Sequence, residues 1–204
     1  MNASRRVPTF IDASLAAAGA DGLATPIRLA ATLFVTVLTA AASQVSVPLP
    51  FTPVPFTFQP MIVLLGGAVL GARLGMTAQV LYLAAGIAGL PVFAFAPELP
   101  QGAARLLGPT GGYLMAYPFA AFVAGALAGR GLDRRYLSSL LAMAAGLAVI
   151  FACGVTWLTL FAPGAEVRSL QQALAAGLYP FVLADAIKLC LAAAVMPAAW
   201  KLLR

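Results

Sequence analysis

The chain contains no histidine, and only six of its 204 residues are acidic. The commonest general base and metal ligand is therefore missing. Cysteine is nearly absent too. Cys153 and Cys190 lie in separate apolar runs without metal-ligand spacing, so each reads as a small buried hydrophobe. No serine or cysteine stands beside a base, and no second acid accompanies the one deep in an apolar run, so hydrolytic chemistry lacks a residue set. The glycine-rich stretch near residue 110 is not a phosphate loop, because no lysine follows it. The expectation is a chain that is not an enzyme and holds no cofactor or metal. Charge of any kind is scarce, at 9% of residues, where soluble proteins carry roughly 25%.

What is abundant is apolar surface. The hydrophobic fraction is 62% and the mean hydropathy +0.98. A soluble domain of this size could not bury that much. The class is an integral membrane protein in contact with lipid. The net charge of +6 then reads as topogenic charge in short loops rather than as a nucleic-acid surface.

Six apolar segments approach the roughly 20 residues a spanning helix needs. They lie at about 28–46, 57–73, 75–92, 111–129, 137–162 and 178–202. The expected fold is an all-α six-transmembrane-helix bundle at 27–204, preceded by a segment at 1–26 that forms a short surface-lying helix. The second and third spans meet in a tight hairpin around Arg73 and Gly75. With an even number of spans both termini share a side. That side collects nine cations: Arg5, Arg6, Arg28, Arg73, Arg130, Arg134, Arg135, Lys201 and Arg204. The other side has Arg105 and Arg168, balanced by Glu98 and Glu166. Both termini are therefore expected in the cytoplasm. A surface helix is expected near 99–106.

Small residues four apart let helix backbones approach. Gly67, Gly71 and Gly75 form two such steps, and Gly125 and Gly129 another. Thr32, Thr36 and Ala40 make a similar stripe, suited either to internal packing or to docking another membrane subunit.

Four features converge on the outer side. In LADAIKLCLA (183–192), Asp185 and Lys188 share one helix face. Each intramembrane charge costs at least roughly 2.5–3.5 kcal/mol at the bilayer centre. Counted from Leu178, Asp185 lies about 10 Å deep, at about 1.5 Å per residue. The pair suits a small polar solute with both donors and acceptors, or it simply joins helices. VPLPFTPVPFTFQP (47–60) has too many prolines for a helix. It forms a stiff extended loop, either a lid or a connector, with Phe51, Phe56 and Phe58 as apolar groups and Thr52, Thr57 and Gln59 as hydrogen-bonding ones. LLGPTGGYLMAYPF (106–119) turns sharply at Gly108, Pro109, Thr110, Gly111 and Gly112, where backbone can approach a ligand. Tyr113 and Tyr117 follow as interfacial or pocket aromatics, with Tyr113 better placed for a pocket. AAGIAGLPVF (84–93) ends its helix at Gly89 and Pro91, ahead of Phe93.

In order and spacing, FTPVPFTFQ (51–59), GLPVF (89–93), GPTGGY (108–113) and the D-x-x-K of Asp185 and Lys188 resemble the BioY family. These are the biotin-specific substrate-binding (S) components of prokaryotic energy-coupling-factor (ECF) vitamin transporters. The resemblance covers about residues 25–200. It implies a six-helix bundle in the cytoplasmic membrane, capture of biotin from outside, and a transmembrane coupling protein with two cytoplasmic ATPases as partners. It implies a biotin site at Asp185 and Lys188. From the chemistry of biotin, Phe93, Tyr113 and Phe56 are expected to wall its apolar bicycle and tail, and Gln59, Gly108 and Thr110 are further candidates for contact with the ligand. Two positions depart from the family pattern. Leu183 and Ala184 replace a frequent Pro-Gly, and Thr32 and Thr36 stand near an A-x-x-x-A docking stripe. The competing readings are a stand-alone secondary transporter with Asp185 as its protonatable group, a lipid-modifying membrane enzyme, and a purely structural subunit.

Overall fold

The computed structural model describes residues 7–96, 99–161, 167 and 169–203, without the side chain of Asp21. Arg5, Arg6, Glu98, Glu166, Arg168 and Arg204 lie outside the described residues, so the charge count that includes them is a matter of sequence alone. The fold is mostly helical. In chain order the helices are α1 (Phe10–Ala17), α2 (Ala24–Gln44), α3 (Gln59–Leu70), α4 (Ala72–Ile87), α5 (Ala104–Leu107), α6 (Gly111–Ala128), α7 (Tyr136–Leu160), α8 (Leu170–Gly177) and α9 (Tyr179–Leu202). Two short strands, β1 (Ser46–Val47) and β2 (Phe56–Thr57), pair antiparallel, with Ser46 opposite Thr57 and Val47 opposite Phe56.

Four helices, α2, α6, α7 and α9, are long and apolar enough to cross a membrane. With no water at that depth, a helix meets every backbone donor and acceptor within its own segment. The other two expected spans are shorter than the sequence suggests. The break between them falls at Gly71, with φ 81°, and not at Arg73–Gly75. A side chain with a Cβ rarely adopts that conformation. The second of them ends at Ile87 rather than 92, in a turn closed by Gly89 at φ 94°.

Helix α6 is buried along most of its length and packs against α3, α4 and α7. Its approach to α3 and α4 depends on the glycines. A Cβ on Gly67 would meet the Ala121 backbone, with Cα 2.9 Å away, and one on Gly75 would lie 2.7 Å from the Gly67 Cα. One on Gly125 would lie 2.6 Å from the Gly67 carbonyl oxygen. Gly129 does not extend this contact, since its nearest neighbour is Gly125 of its own helix.

Helix α2 lies against α3 and α4 and is the least buried of the four long helices. The threonine stripe turns inward. Thr32 is buried, and the Thr36 hydroxyl donates to the Ala78 carbonyl on α4 at 2.9 Å. Helix α1 fits the short N-terminal helix expected, but it is anchored. Ile11 and Leu15 are buried with Val35, Leu70 and Ala78, and Arg28 donates to Asp12 at 2.8 Å. At the same end of the molecule, the Trp200 indole donates to Asp133 at 2.6 Å and Phe10 meets the Trp200 ring edge-on. Burial raises the Asp133 carboxyl above its ordinary range. The two cysteines are exposed rather than buried, so they face outward from the bundle.

Because Ala121 offers only backbone at the contact, Gly67→Val cannot be relieved by a rotamer change. It should destabilise the protein by about 3 kcal/mol or more, read as a lower melting temperature in detergent. Gly22→Ala, where an added Cβ meets nothing within 4 Å, should leave the melting temperature unchanged.

Candidate functional site

The proline segment, the region before α6, and helices α3, α6, α7 and α9 line one cavity. Its wall takes Val54, Pro55 and Thr57 from the proline segment, and Gln59 and Pro60 from the start of α3. Ala94, Arg105 and Thr110 come from the region before α6. Tyr113, Leu114 and Tyr117 follow from α6, Ile150 and Phe151 from α7, and Phe181, Asp185 and Lys188 from α9.

A charged pair stands in this wall. Asp185 and Lys188 are each 6% exposed, and they are in direct ion-pair contact. The ammonium does more than neutralise the acid. Lys188 Nζ donates to the Thr57 carbonyl at 2.7 Å, 131 residues away in sequence. It also lies 4.0 Å from the centre of the Phe56 ring and 5.6 Å from that of Phe58. An aromatic face attracts a desolvated cation by about 2 kcal/mol. One lysine therefore ties α9 to the proline hairpin.

The hairpin has a second anchor. The Thr52 hydroxyl donates to the Ala176 carbonyl at the end of α8, at 2.6 Å. Val54 between the two anchors is buried. The stiff outer loop read from the sequence is thus a wall of the cavity, held by bonds at two places.

Tyr113 fits a slot made by glycines. Its ring packs where a Cβ on Gly154 would stand, and its hydroxyl donates to the Gly177 carbonyl at 2.8 Å. Tyr117, left open between interface and pocket, also lines the cavity and is buried.

The glycine turn before α6 does something other than expected. Gly111 and Gly112 admit the Trp157 side chain and the α7 backbone, with the Cys153 carbonyl 2.7 Å from a Cβ on Gly112. The Gly108 carbonyl accepts from the Trp157 indole at 2.9 Å. These glycines let a neighbouring helix approach, while Thr110 between them faces the cavity. Of the eight residues singled out, Gln59, Thr110, Tyr113, Asp185 and Lys188 line the wall. Phe56 stands behind Lys188. Gly108 and Phe93 lie outside the wall, and the Phe93 ring packs edge-on against Tyr82 with centroids 5.6 Å apart.

Arg105 is the residue that sequence reasoning missed. Counted as an outer-loop charge, it is 1% exposed. Its guanidinium donates to the Ala94 carbonyl at 2.7 Å and the Pro100 carbonyl at 3.4 Å. Burial lowers its pKa from the ordinary value. The expected surface helix at 99–106 is a single turn, α5, that carries this arginine inward. The available signal was a cation alone between GLPVF and GPTGGY. Arg105 Nε and Thr110 Oγ are buried and have no hydrogen-bond partner among the described residues. Such atoms are rare in native structures. The cavity therefore offers one carboxylate, two cations, an amide and a hydroxyl against apolar and aromatic walls.

The sequence profile of the BioY family matches residues 16–204. The chain belongs to the BioY family. It is 41% identical over 151 residues to the "Probable biotin transporter BioY" of Pyrococcus horikoshii, covering 74% of this chain and 82% of that protein. To the "Biotin transporter BioY" of Thermotoga maritima it is 39% identical over 160 residues, covering 78% and 88%. Among solved structures it is similar to the S-component for biotin from an ECF-type ABC transporter. The TM-score there is 0.74 and the identity 26%, covering 87% of this chain and 92% of that one. This BioY-family chain is thus a multi-pass membrane protein whose fold matches an S-component.

Removing Lys188 would strand Asp185 and free the hairpin. Lys188→Met should cost about 3–5 kcal/mol, read from the melting temperature of ligand-free protein in detergent. Adding Asp185→Asn should recover much of that loss, because no unpaired charge then stays buried.

Proposed function

We propose that this chain captures biotin at the outer face of a prokaryotic cytoplasmic membrane, as the S component of an ECF-type ABC transporter. It acts as a transport protein and not as an enzyme. A transmembrane coupling protein and two cytoplasmic ATPases are its partners, since the chain has no nucleotide-binding motif of its own. Helices α3 and α4 complete six spans within 27–204, and both termini lie in the cytoplasm. The bias of Lys and Arg toward one side supports that orientation.

One observation carries the reading. In a BioY-family chain, a buried carboxylate and two buried cations converge on a single apolar-walled cavity. Biotin presents complementary groups. Its ureido ring has two N–H donors flanking a carbonyl, and its valeryl tail ends in a carboxylate. Asp185 accepts from the ureido N–H groups, and Lys188 keeps it ionised while holding a ligand oxygen. Arg105, whose Nε lacks an acceptor among the described residues, meets an oxygen of opposite charge, the tail carboxylate. Tyr113, Tyr117 and Phe181 enclose the apolar bicycle and tail.

Calorimetry of the purified protein with biotin tests this. Asp185→Asn should weaken biotin binding by at least roughly 100-fold, as expected when a buried charged hydrogen bond is lost. An unaltered affinity would remove Asp185 from the site. Uptake that persists without the ATPases would make the chain a stand-alone transporter.

A further inference from the structure

Tyr82 lies in α4, is wholly buried, and is not part of the cavity wall. Its hydroxyl nevertheless touches the wall through Gln59. The Gln59 side-chain nitrogen donates to the Tyr82 hydroxyl at 2.6 Å, and that hydroxyl donates to the Val92 carbonyl at 3.1 Å.

The direction of this chain follows from what each group can do. A carbonyl oxygen only accepts, so Val92 takes the single phenolic proton. The Tyr82 oxygen is then left with lone pairs toward Gln59. Only the amide NH2 of Gln59 can complete that contact, and the amide oxygen must turn the other way. That oxygen accepts from the Thr57 hydroxyl at 3.4 Å, which leaves its second lone pair for a ligand, and both residues are on the cavity wall. The phenol is itself held rigidly. Phe93 packs edge-on against its ring, its own ring fills the space beside Gly86, and Tyr117 lies on another side with centroids 6.4 Å apart. The Ser43 hydroxyl of α2 also donates to the Val92 carbonyl, at 2.6 Å.

We propose that Tyr82 is a positioning residue for specificity: it fixes the Gln59 amide so that its oxygen is a second acceptor in the site, beside Asp185. The inference rests on the biotin reading and deepens it. Two acceptors from different helices face two ureido N–H donors. An amide free to rotate would serve a ring oxygen as readily as a ring N–H. An amide held by Tyr82 rejects the oxygen, because two acceptors then face each other across a dry site.

The test uses the full-length protein in detergent with three ligands. They are biotin and the two carbamate analogues in which one or the other ureido N–H is replaced by a ring oxygen. Wild type should prefer biotin to each analogue by roughly tenfold or more. Tyr82→Phe keeps the ring packing and removes only the hydroxyl. It should lose most of the preference against one analogue and keep the preference against the other. Gln59→Glu in the Tyr82→Phe background, which has acceptor oxygens alone, should restore the lost preference. If Tyr82→Phe does not yield folded protein, Gln59→Met should show the same one-sided loss. Equal weakening of all three ligands, or both preferences retained, overturns the positioning role while leaving the biotin reading intact. A wild-type protein that binds no biotin overturns both.

Discussion

The Lys188 ammonium is the point on which the rest of the site depends. It is buried, and its partners come from α9 itself, through Asp185, and from the far side of the chain, through the Thr57 carbonyl and the Phe56 ring. A lone charge in this setting would be untenable, and a self-contained pair on one helix would position nothing. Because the lysine also reaches the hairpin, the cost of holding a charge in an apolar bundle is offset by a bond that shapes the cavity. Asp185 is thereby paired with a cation while still lining the cavity, where a donor from outside the protein can reach it.

The surrounding bundle makes this possible through absence of side chain. Gly67, Gly75 and Gly125 bring α3, α4 and α6 within backbone contact. In lipid, where apolar side chains gain little by meeting one another, close packing of small residues supplies the association. Gly154 and Gly177 open the slot that holds Tyr113, and Gly111 and Gly112 admit Trp157. Polar bonds then set what packing leaves loose. Thr52 and Thr57 hold the hairpin, and Tyr82 holds Gln59.

Much of this was legible in the chain. The long apolar segments forecast the four long helices, since a single segment can satisfy all its backbone groups in lipid by itself only as a helix. The D-x-x-K spacing put Asp185 and Lys188 on one face, and the prolines forbade a helix at 47–58. Three things were not legible. The position of the α3–α4 break was misplaced because Gly71 and Gly75 look alike in sequence, and only the backbone φ separates them. The glycine turn at 108–112 was given to a ligand, although the body that approaches it is Trp157. Arg105 was placed in solvent because a single cation in a loop carries no sign of which way it faces.

By itself the sequence determined the class of the protein, the helices and the types of group available for recognition. Those follow from composition, periodicity and residue chemistry, which are local properties. The tertiary structure alone decided which of these groups meet. Arg105 turns inward because its one-turn helix places it under the Ala94 carbonyl. Gln59 presents its oxygen because a tyrosine on the next helix takes its nitrogen. Both outcomes depend on contacts between distant or separately folded segments, and no pattern along the chain encodes the direction of a hydrogen bond.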